Sequence, residues 1–208
     1  MAKKIVFLGP IEAGKTSLRK FIFEATPADK LLNSSEPATI GMKFNTYQYV
    51  YTYPIEREDE CGEKIPMVLV LVDCAGQEIE RWLNESREMV FGGADIIFFV
   101  FDVAPYFEVD TYKEYILELM SLTQQARTEL APESQFFILA HKFDKLQNKI
   151  KKETVSNRVK SELSNYIFDR TSQILTFDVF PTSLAKEYRQ DTFFMMLNRT
   201  TNLLSMPI

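Results

Sequence analysis

The run Ile96-Ile97-Phe98-Phe99-Val100-Phe101 limits what this chain can fold into more than any other stretch. It is apolar at every position, shows no alternation, and has the length of a strand rather than a helix. Such a strand must be covered on both faces, which places it in the middle of a sheet between layers of helices. Shorter apolar runs repeat the theme at Ile5–Leu8, Met67–Val72 and Phe136–Ala140. Segments of helical spacing separate them. One follows Gly14 to about Glu24, with Leu18, Phe21 and Ile22 on one face. Another runs over Glu78–Val90, and a third carries Tyr112, Tyr115, Ile116 and Leu119. A polar helix near Lys152–Tyr166, a strand near Ile174–Phe180 and a helix from about Gln190 to Leu204 close the order. Phe44–Tyr53 reads as an aromatic strand, Thr26–Pro37 as a loop, and the charged stretch Pro54–Pro66 as a hairpin-like turn.

This β-α-β-β-α-β-α-β-α-β-α order predicts an α/β fold: a six-stranded, mostly parallel sheet with helices on both faces. The turn at 54–66 is too short to house a crossover helix, so the strands flanking it are expected to pair antiparallel, with one antiparallel strand at the edge. Open sheets of this class bind ligands beyond the carboxyl ends of their strands. Those ends carry the chemistry to be read.

Composition removes several classes. With 29 acidic and 24 basic side chains the net charge is -5, against nucleic acid as the main partner. Two cysteines make no disulfide framework and fit a reducing compartment. A single histidine excludes multi-histidine metal centres. The first apolar run is too short for a signal sequence or a membrane span. Ala2 provides no myristoylation site, and Leu204-Ser205-Met206-Pro207-Ile208 holds no prenylation cysteine. A cytoplasmic protein without a lipid anchor of its own is expected, its 208 residues forming one domain.

Gly9-Pro10-Ile11-Glu12-Ala13-Gly14-Lys15-Thr16 follows the first strand and precedes a helix. It fits the phosphate-loop pattern G-x-x-x-x-G-K-[ST] in full and in the required context. Backbone N–H groups of such a loop face phosphates, and the helix N-terminus adds positive potential. Lys15 is expected to neutralise the β- and γ-phosphates, and the Thr16 hydroxyl to ligate magnesium. Asp73-Cys74-Ala75-Gly76-Gln77 follows the Met67–Val72 strand. Asp73 suits a magnesium site, Gly76 admits a terminal phosphate close to its backbone, and Gln77 is placed to orient an attacking water. His141-Lys142-Phe143-Asp144 follows Phe136–Ala140. The Asp144 carboxylate can accept from N1–H and the 2-amino group of guanine, and adenine offers neither donor. The Lys142 stem can lie along base and ribose. Thr182-Ser183-Leu184, after the last strand, can present N–H groups to guanine O6.

These segments together make the chain similar to the Ras-superfamily GTPases over nearly its whole length. Within them it most resembles the Rag/Gtr branch, through Gly14-Lys15-Thr16-Ser17-Leu18-Arg19 with Phe21-Ile22-Phe23, Ala38-Thr39-Ile40, Phe99-Val100-Phe101-Asp102-Val103, His141 in place of the usual asparagine, and Thr182-Ser183. The resemblance implies the P-loop small-GTPase fold. It implies GTP or GDP held by Glu12, Ala13, Gly14, Lys15, Thr16, Ser17, Thr39, Gly76, His141, Lys142, Asp144, Ser183 and Leu184. Magnesium would then be held at Thr16, Thr39 and Asp73, with Gln77 and Lys15 as the catalytic residues. Residues 26–43 become the first switch and about 74–90 the second, through which an exchange factor, an activating protein and effectors engage the chain. Full-length Rag proteins continue into a roadblock-type dimerisation domain, whereas 208 residues match the G domain. A separate roadblock-domain protein therefore becomes a candidate partner. Three departures stand out: Ile11, which can obstruct an incoming arginine; Glu12, a carboxylate near phosphates; and His141, with one N–H where asparagine offers an amide.

The leading expectation is a magnesium-dependent switch that hydrolyses GTP slowly, since residues 26–43 contain no arginine to act as an internal finger. The alternative is a hydrolysis-poor module that holds nucleotide and docks a partner. A P-loop kinase or ATPase shares the phosphate loop but lacks the Asp144 base reader. Cys61 reads as an exposed thiol in the charged turn, and Cys74 as a thiol beside the nucleotide with little sign of redox function. Trp82 and Phe91 read either as switch surface or as packing under the helix, and Lys149, Lys151 and Lys152 as a solvated helix start.

Overall fold

The computed structural model describes residues 2–33, 39–52, 64–146, 150–171 and 177–205. Its sheet has six strands: β1 Ala2–Leu8, β2 Met42–Thr52, β3 Lys64–Cys74, β4 Ile96–Asp102, β5 Gln135–His141 and β6 Asp178–Pro181. Their spatial order is β2-β3-β1-β4-β5-β6. All neighbours are parallel except β2 and β3, which pair antiparallel with Phe44 opposite Val72 and Met42 opposite Cys74. The helices are α1 Lys15–Phe23, α2 Ala28–Asn33, α3 Ile79–Asn84, α4 Arg87–Phe91, α5 Val103–Glu108, α6 Asp110–Leu130, α7 Lys152–Thr171 and α8 Arg189–Ser205.

β4 is fully buried from Ile96 through Phe101, as its unbroken apolar run requires. Alternate side chains enter two cores. Ile97, Phe99 and Phe101 join Val6, Leu8, Val72 and Ile138 under α3, α4, α6 and α7. Ile96, Phe98 and Val100 join Ile5, Phe7, Leu71 and Leu139 under α1 and α8. On this second face an aromatic ladder crosses the sheet. Phe7, Phe98, Phe137 and Phe180 follow one another at ring separations of 5.3, 5.7 and 6.0 Å, and the Arg199 guanidinium lies over the last two rings. The phenylalanine content thus locks four strands to one layer of helices.

Several element boundaries differ from the sequence expectation. The helix expected over Glu78–Val90 is broken into a 3₁₀ turn at Gly76–Glu78, then α3, then α4. Glu85 and Ser86 both donate to the Arg81 carbonyl, and Ser86 leaves helical φ, so the axis resets there. The Thr26–Pro37 loop contains α2, whose start is closed by Lys30 and Leu31 donating to the Pro27 carbonyl while Ala28 and Leu31 are buried. α5 was not legible: Asp102 caps it by accepting from the Ala104 N–H at 3.2 Å. Helix α7 continues to Thr171, and β6 is four residues long. Residues 53–63, with Cys61 and most of the expected turn, lie outside the described residues, as do Lys149, residues 34–38 of the first switch with Ala38, and residues 172–176 of the last expected strand. No helix among the described residues is long and apolar enough to cross a membrane.

Candidate nucleotide-binding site

The loop from Gly9 to Gly14 joins β1 to α1 at the carboxyl edge of the sheet. Gly14 stands at the helix N-cap with φ +94°, where a side chain would be strained, and it contributes no capping side chain. The first-turn amides of α1 are therefore left to the site rather than to a cap. The buried Lys15 folds back across the loop, its Nζ donating to the carbonyls of Gly9 at 2.8 Å and Pro10 at 2.7 Å. Burial pushes its pKa down to about 8, against the opposing pull of Asp73 and Cys74. Ala13 is buried under the loop and Ser17 follows in the first turn of α1. Glu12 takes φ +59°, and its side chain is exposed rather than turned inward. Ile11 is 54% exposed beside it.

Three oxygens from separate segments meet next to the loop. The Thr16 hydroxyl donates to Asp73 Oδ2 at 2.9 Å and lies 3.1 Å from Thr39 Oγ1. Asp73 is fully buried at the end of β3, and its Oδ1 has no hydrogen-bond partner among the described residues. A buried carboxylate oxygen without a donor, beside two hydroxyls, makes a hard-oxygen set that fits Mg²⁺. These residues therefore fit the ion expected at the site.

Gly76 touches the phosphate loop: a Cβ on it would sit 2.4 Å from the Ile11 nitrogen and from the Pro10 carbonyl carbon. Gln77 follows, exposed in the 3₁₀ turn. The segment is pinned from behind by Trp82, whose Nε1–H donates to the Ala75 carbonyl at 3.0 Å. Trp82 and Phe91 are both buried, so of their two readings packing is the one the fold adopts. Cys74 is also buried, and burial, followed by the Asp73 charge, pushes its thiol up to about 12.

On the other side of the loop, His141 ends β5 fully enclosed. Its Nδ1 is 3.0 Å from Thr182 Oγ1, and its ring lies against Gly14. Burial, with the neighbouring Lys142 charge adding to it, pushes the imidazole down to about 4, so the ring is neutral at pH 7. Lys142 has φ +58°, and its stem runs to Asp102, where Nζ donates to Oδ2 at 2.8 Å. Asp144 is exposed, and its Oδ1 accepts a short hydrogen bond from the Ser183 hydroxyl. The Ser183 hydroxyl in turn accepts from the Ala185 N–H at 2.9 Å. One expectation changes here: the Ser183 N–H does not face a base, because it donates to Thr192 Oγ1 at 3.0 Å. Ser183 acts on the site through its hydroxyl instead, and Leu184, buried by its side chain, is the next residue in line.

Three residues at the site escaped the sequence reading. Arg19 donates to Asp73, Asp102 holds Lys142, and Thr192 holds both the N–H and the carbonyl of Ser183. Arg19 and Asp102 stand in the segments that carry the family resemblance, but the resemblance gives them no role there; Arg19 lies four residues after Lys15, on the helix face that turns inward.

Comparison with known proteins agrees with this geometry. The family model "Gtr1/RagA G protein conserved region" matches residues 4–189. The "GTP-binding protein gtr1" of Schizosaccharomyces pombe is 24% identical over 201 residues, covering 93% of this chain and 54% of the relative. The "Ras-related GTP-binding protein B" of Rattus norvegicus is 27% identical over 164 residues, covering 71% and 42%, and the "Ras-related GTP-binding protein A" of Dictyostelium discoideum is 25% identical over 146 residues, covering 69% and 42%. The chain spans about half the length of the curated relatives it matches. A family match over nearly the whole chain, on a sheet whose strand ends carry the phosphate loop, Asp73 and Asp144, means that this chain belongs to the Gtr1/RagA G protein family.

Proposed function

We propose that this chain is a magnesium-dependent guanine-nucleotide switch that hydrolyses GTP slowly to GDP. One observation carries the reading: five separated segments join in one unbroken series of contacts. Thr39 meets Thr16, Thr16 meets Asp73, and Gly76 packs on Pro10 and Ile11. Gly14 packs on His141, His141 meets Thr182, and Ser183 holds Asp144. These contacts support a reading in which a phosphate cradle, an oxygen set for a cation and a guanine reader lie side by side.

In this reading the Glu12–Ser17 backbone and Lys15 hold the phosphates, while Thr16, Thr39 and Asp73 hold Mg²⁺. When bound, Mg²⁺ neutralises charge on the β- and γ-phosphate oxygens. Gln77, exposed at the rim, orients the attacking water. Asp144 accepts from the guanine edge, the Leu184 N–H serves O6, and Lys142 lines the base. The first switch offers no arginine, so intrinsic turnover is expected on the order of 10⁻⁴ to 10⁻³ s⁻¹ unless a partner supplies one. Exchange factors, activating proteins and effectors meet residues 26–43 and 74–90, where Ile40 is 78% exposed. Residues 1–208 serve as one G domain that acts in signalling in the cytoplasm, reaches a membrane surface through a partner, and accepts a roadblock-type partner.

The half-exposed Ile11 beside Glu12 favours a second reading, a hydrolysis-poor module that holds nucleotide and docks a roadblock-type or other partner, its turnover too slow to detect in the isolated chain. Nucleotide released from the purified protein and identified by chromatography tests the first reading: GDP or GTP supports it, and adenine nucleotide or none defeats it. A single-turnover time course separates switch from module. A rate near 1 s⁻¹ for the isolated chain contradicts both.

A further inference from the structure

Asp73 is held by more than the phosphate loop. Its Oδ2 accepts from Thr16 Oγ1 at 2.9 Å and from Arg19 Nε at 3.3 Å, while Oδ1 has no partner among the described residues. Arg19 is itself almost fully buried on α1. Its guanidinium is fixed at the far end by a short ion pair to Glu24 and by Tyr47 Oη at 3.2 Å, and the Tyr47 hydroxyl donates to Glu24 at 2.9 Å. The result is a closed clamp of three side chains. It ends on β2, the strand entered just after Thr39.

A buried carboxylate has two lone-pair-bearing oxygens and a torsion that can present either. Two donors converging on Oδ2 leave Oδ1 as the oxygen free for a cation. A guanidinium that cannot swing keeps that torsion fixed. We propose that Arg19 is a positioning residue for the magnesium ion: it locks the Asp73 carboxylate so that Oδ1 faces the ion, with Glu24 and Tyr47 holding Arg19 in place. This rests on the guanine-nucleotide reading above. Groups that orient a metal ligand commonly change metal affinity 10- to 100-fold when removed. Removing one partner of a buried ion pair destabilises a fold whatever its role, so a change in magnesium affinity, and not a loss of stability, is what separates a positioning Arg19 from a purely structural one.

The test uses the whole chain loaded with a fluorescent GDP analogue, whose release is followed against MgCl₂ concentration and in EDTA. Arg19→Met is expected to raise the half-effective magnesium concentration about tenfold while changing release in EDTA less than twofold. Manganese bound to the protein–GDP complex, counted by electron paramagnetic resonance, is expected to weaken by the same factor. Arg19→Lys keeps the charge and loses the fork, and is expected to restore only part of the effect. Glu24→Gln and Tyr47→Phe loosen the clamp from its more exposed end and are expected to shift the magnesium midpoint in the same direction, about threefold, if Arg19→Met fails to fold. An unchanged midpoint in these variants overturns the proposal, as does release accelerated equally with and without magnesium. Wild-type release that ignores magnesium, or analogue that does not bind, overturns the guanine-nucleotide reading and the proposal with it. A normal wild-type midpoint that no variant moves overturns this proposal alone.

Discussion

The His141 ring lies directly against Gly14: a Cβ on that glycine would meet the imidazole Cδ2 at 2.5 Å. The last residue of β5 therefore touches the start of α1, and the loop proposed to read the base and the loop proposed to hold the phosphates pack against each other. His141 joins the two loops by van der Waals contact with Gly14 and by a hydrogen bond with Thr182.

That burial sets a pH dependence. Burial holds the His141 imidazole down at about 4, below the ordinary histidine value of about 6.5. The unfolded chain therefore takes up the proton first as pH falls. The contribution is fully present above about pH 6.5 and is lost progressively toward pH 4, up to about 3 kcal/mol. Urea denaturation of wild type and His141→Asn at pH 7 and pH 5 checks this. Wild type should lose more stability than the variant over that interval, and parallel losses would refute a buried neutral ring.

The contact between Gly76 and Ile11 predicts a steric effect. A methyl group at residue 76 cannot be accommodated at 2.4 Å from main-chain atoms, so Gly76→Ala must push the phosphate loop and the second switch apart. Overpacking of this kind costs about 1–3 kcal/mol. Thermal unfolding should fall by several degrees, and GTP affinity should drop more than GDP affinity, because the displaced segment faces the terminal phosphate in the proposed reading. Equal retention of both nucleotides at an unchanged melting temperature would rule the contact out.

Gln77 is exposed and makes no contribution to either core. Gln77→Leu is expected to slow single-turnover hydrolysis at least tenfold while GTP affinity stays within about threefold of wild type. A hydrolysis rate that does not change removes Gln77 from the mechanism.

Ser183→Ala removes the donor to the Asp144 carboxylate and the acceptor for the Ala185 N–H. Hydrogen bonds to charged groups are worth about 1.5–3 kcal/mol, so GDP affinity should weaken at least tenfold. Calorimetric titration against GDP and ADP reads both affinity and discrimination. Undiminished GDP binding would place the base reader elsewhere.

The sheet and its parallel character were legible because unbroken apolar runs such as Ile96–Phe101 admit one environment only, and the antiparallel edge because the 54–66 segment is too short for a crossover helix. The break between α3 and α4 was not, since Ile79, Trp82, Leu83, Val90 and Phe91 keep helical spacing across it and only the bonds to the Arg81 carbonyl mark the reset. Helix α5 hid behind Pro105, which is allowed in a first turn but reads as a breaker in the sequence.

The site divides along the same line. The loop Gly9–Thr16, Asp73 and Asp144 could be picked out from residue type and spacing, and the structure places all three at strand ends along one edge of the sheet. Which oxygen of Asp73 is left free, how Arg19, Glu24 and Tyr47 hold the other, and why the Ser183 N–H is already spent on Thr192 depend on side chains from distant segments. Local sequence encodes what a residue can offer. Only packing decides which of its atoms remain to offer it, because a buried donor or acceptor goes first to whatever partner the fold brings within reach.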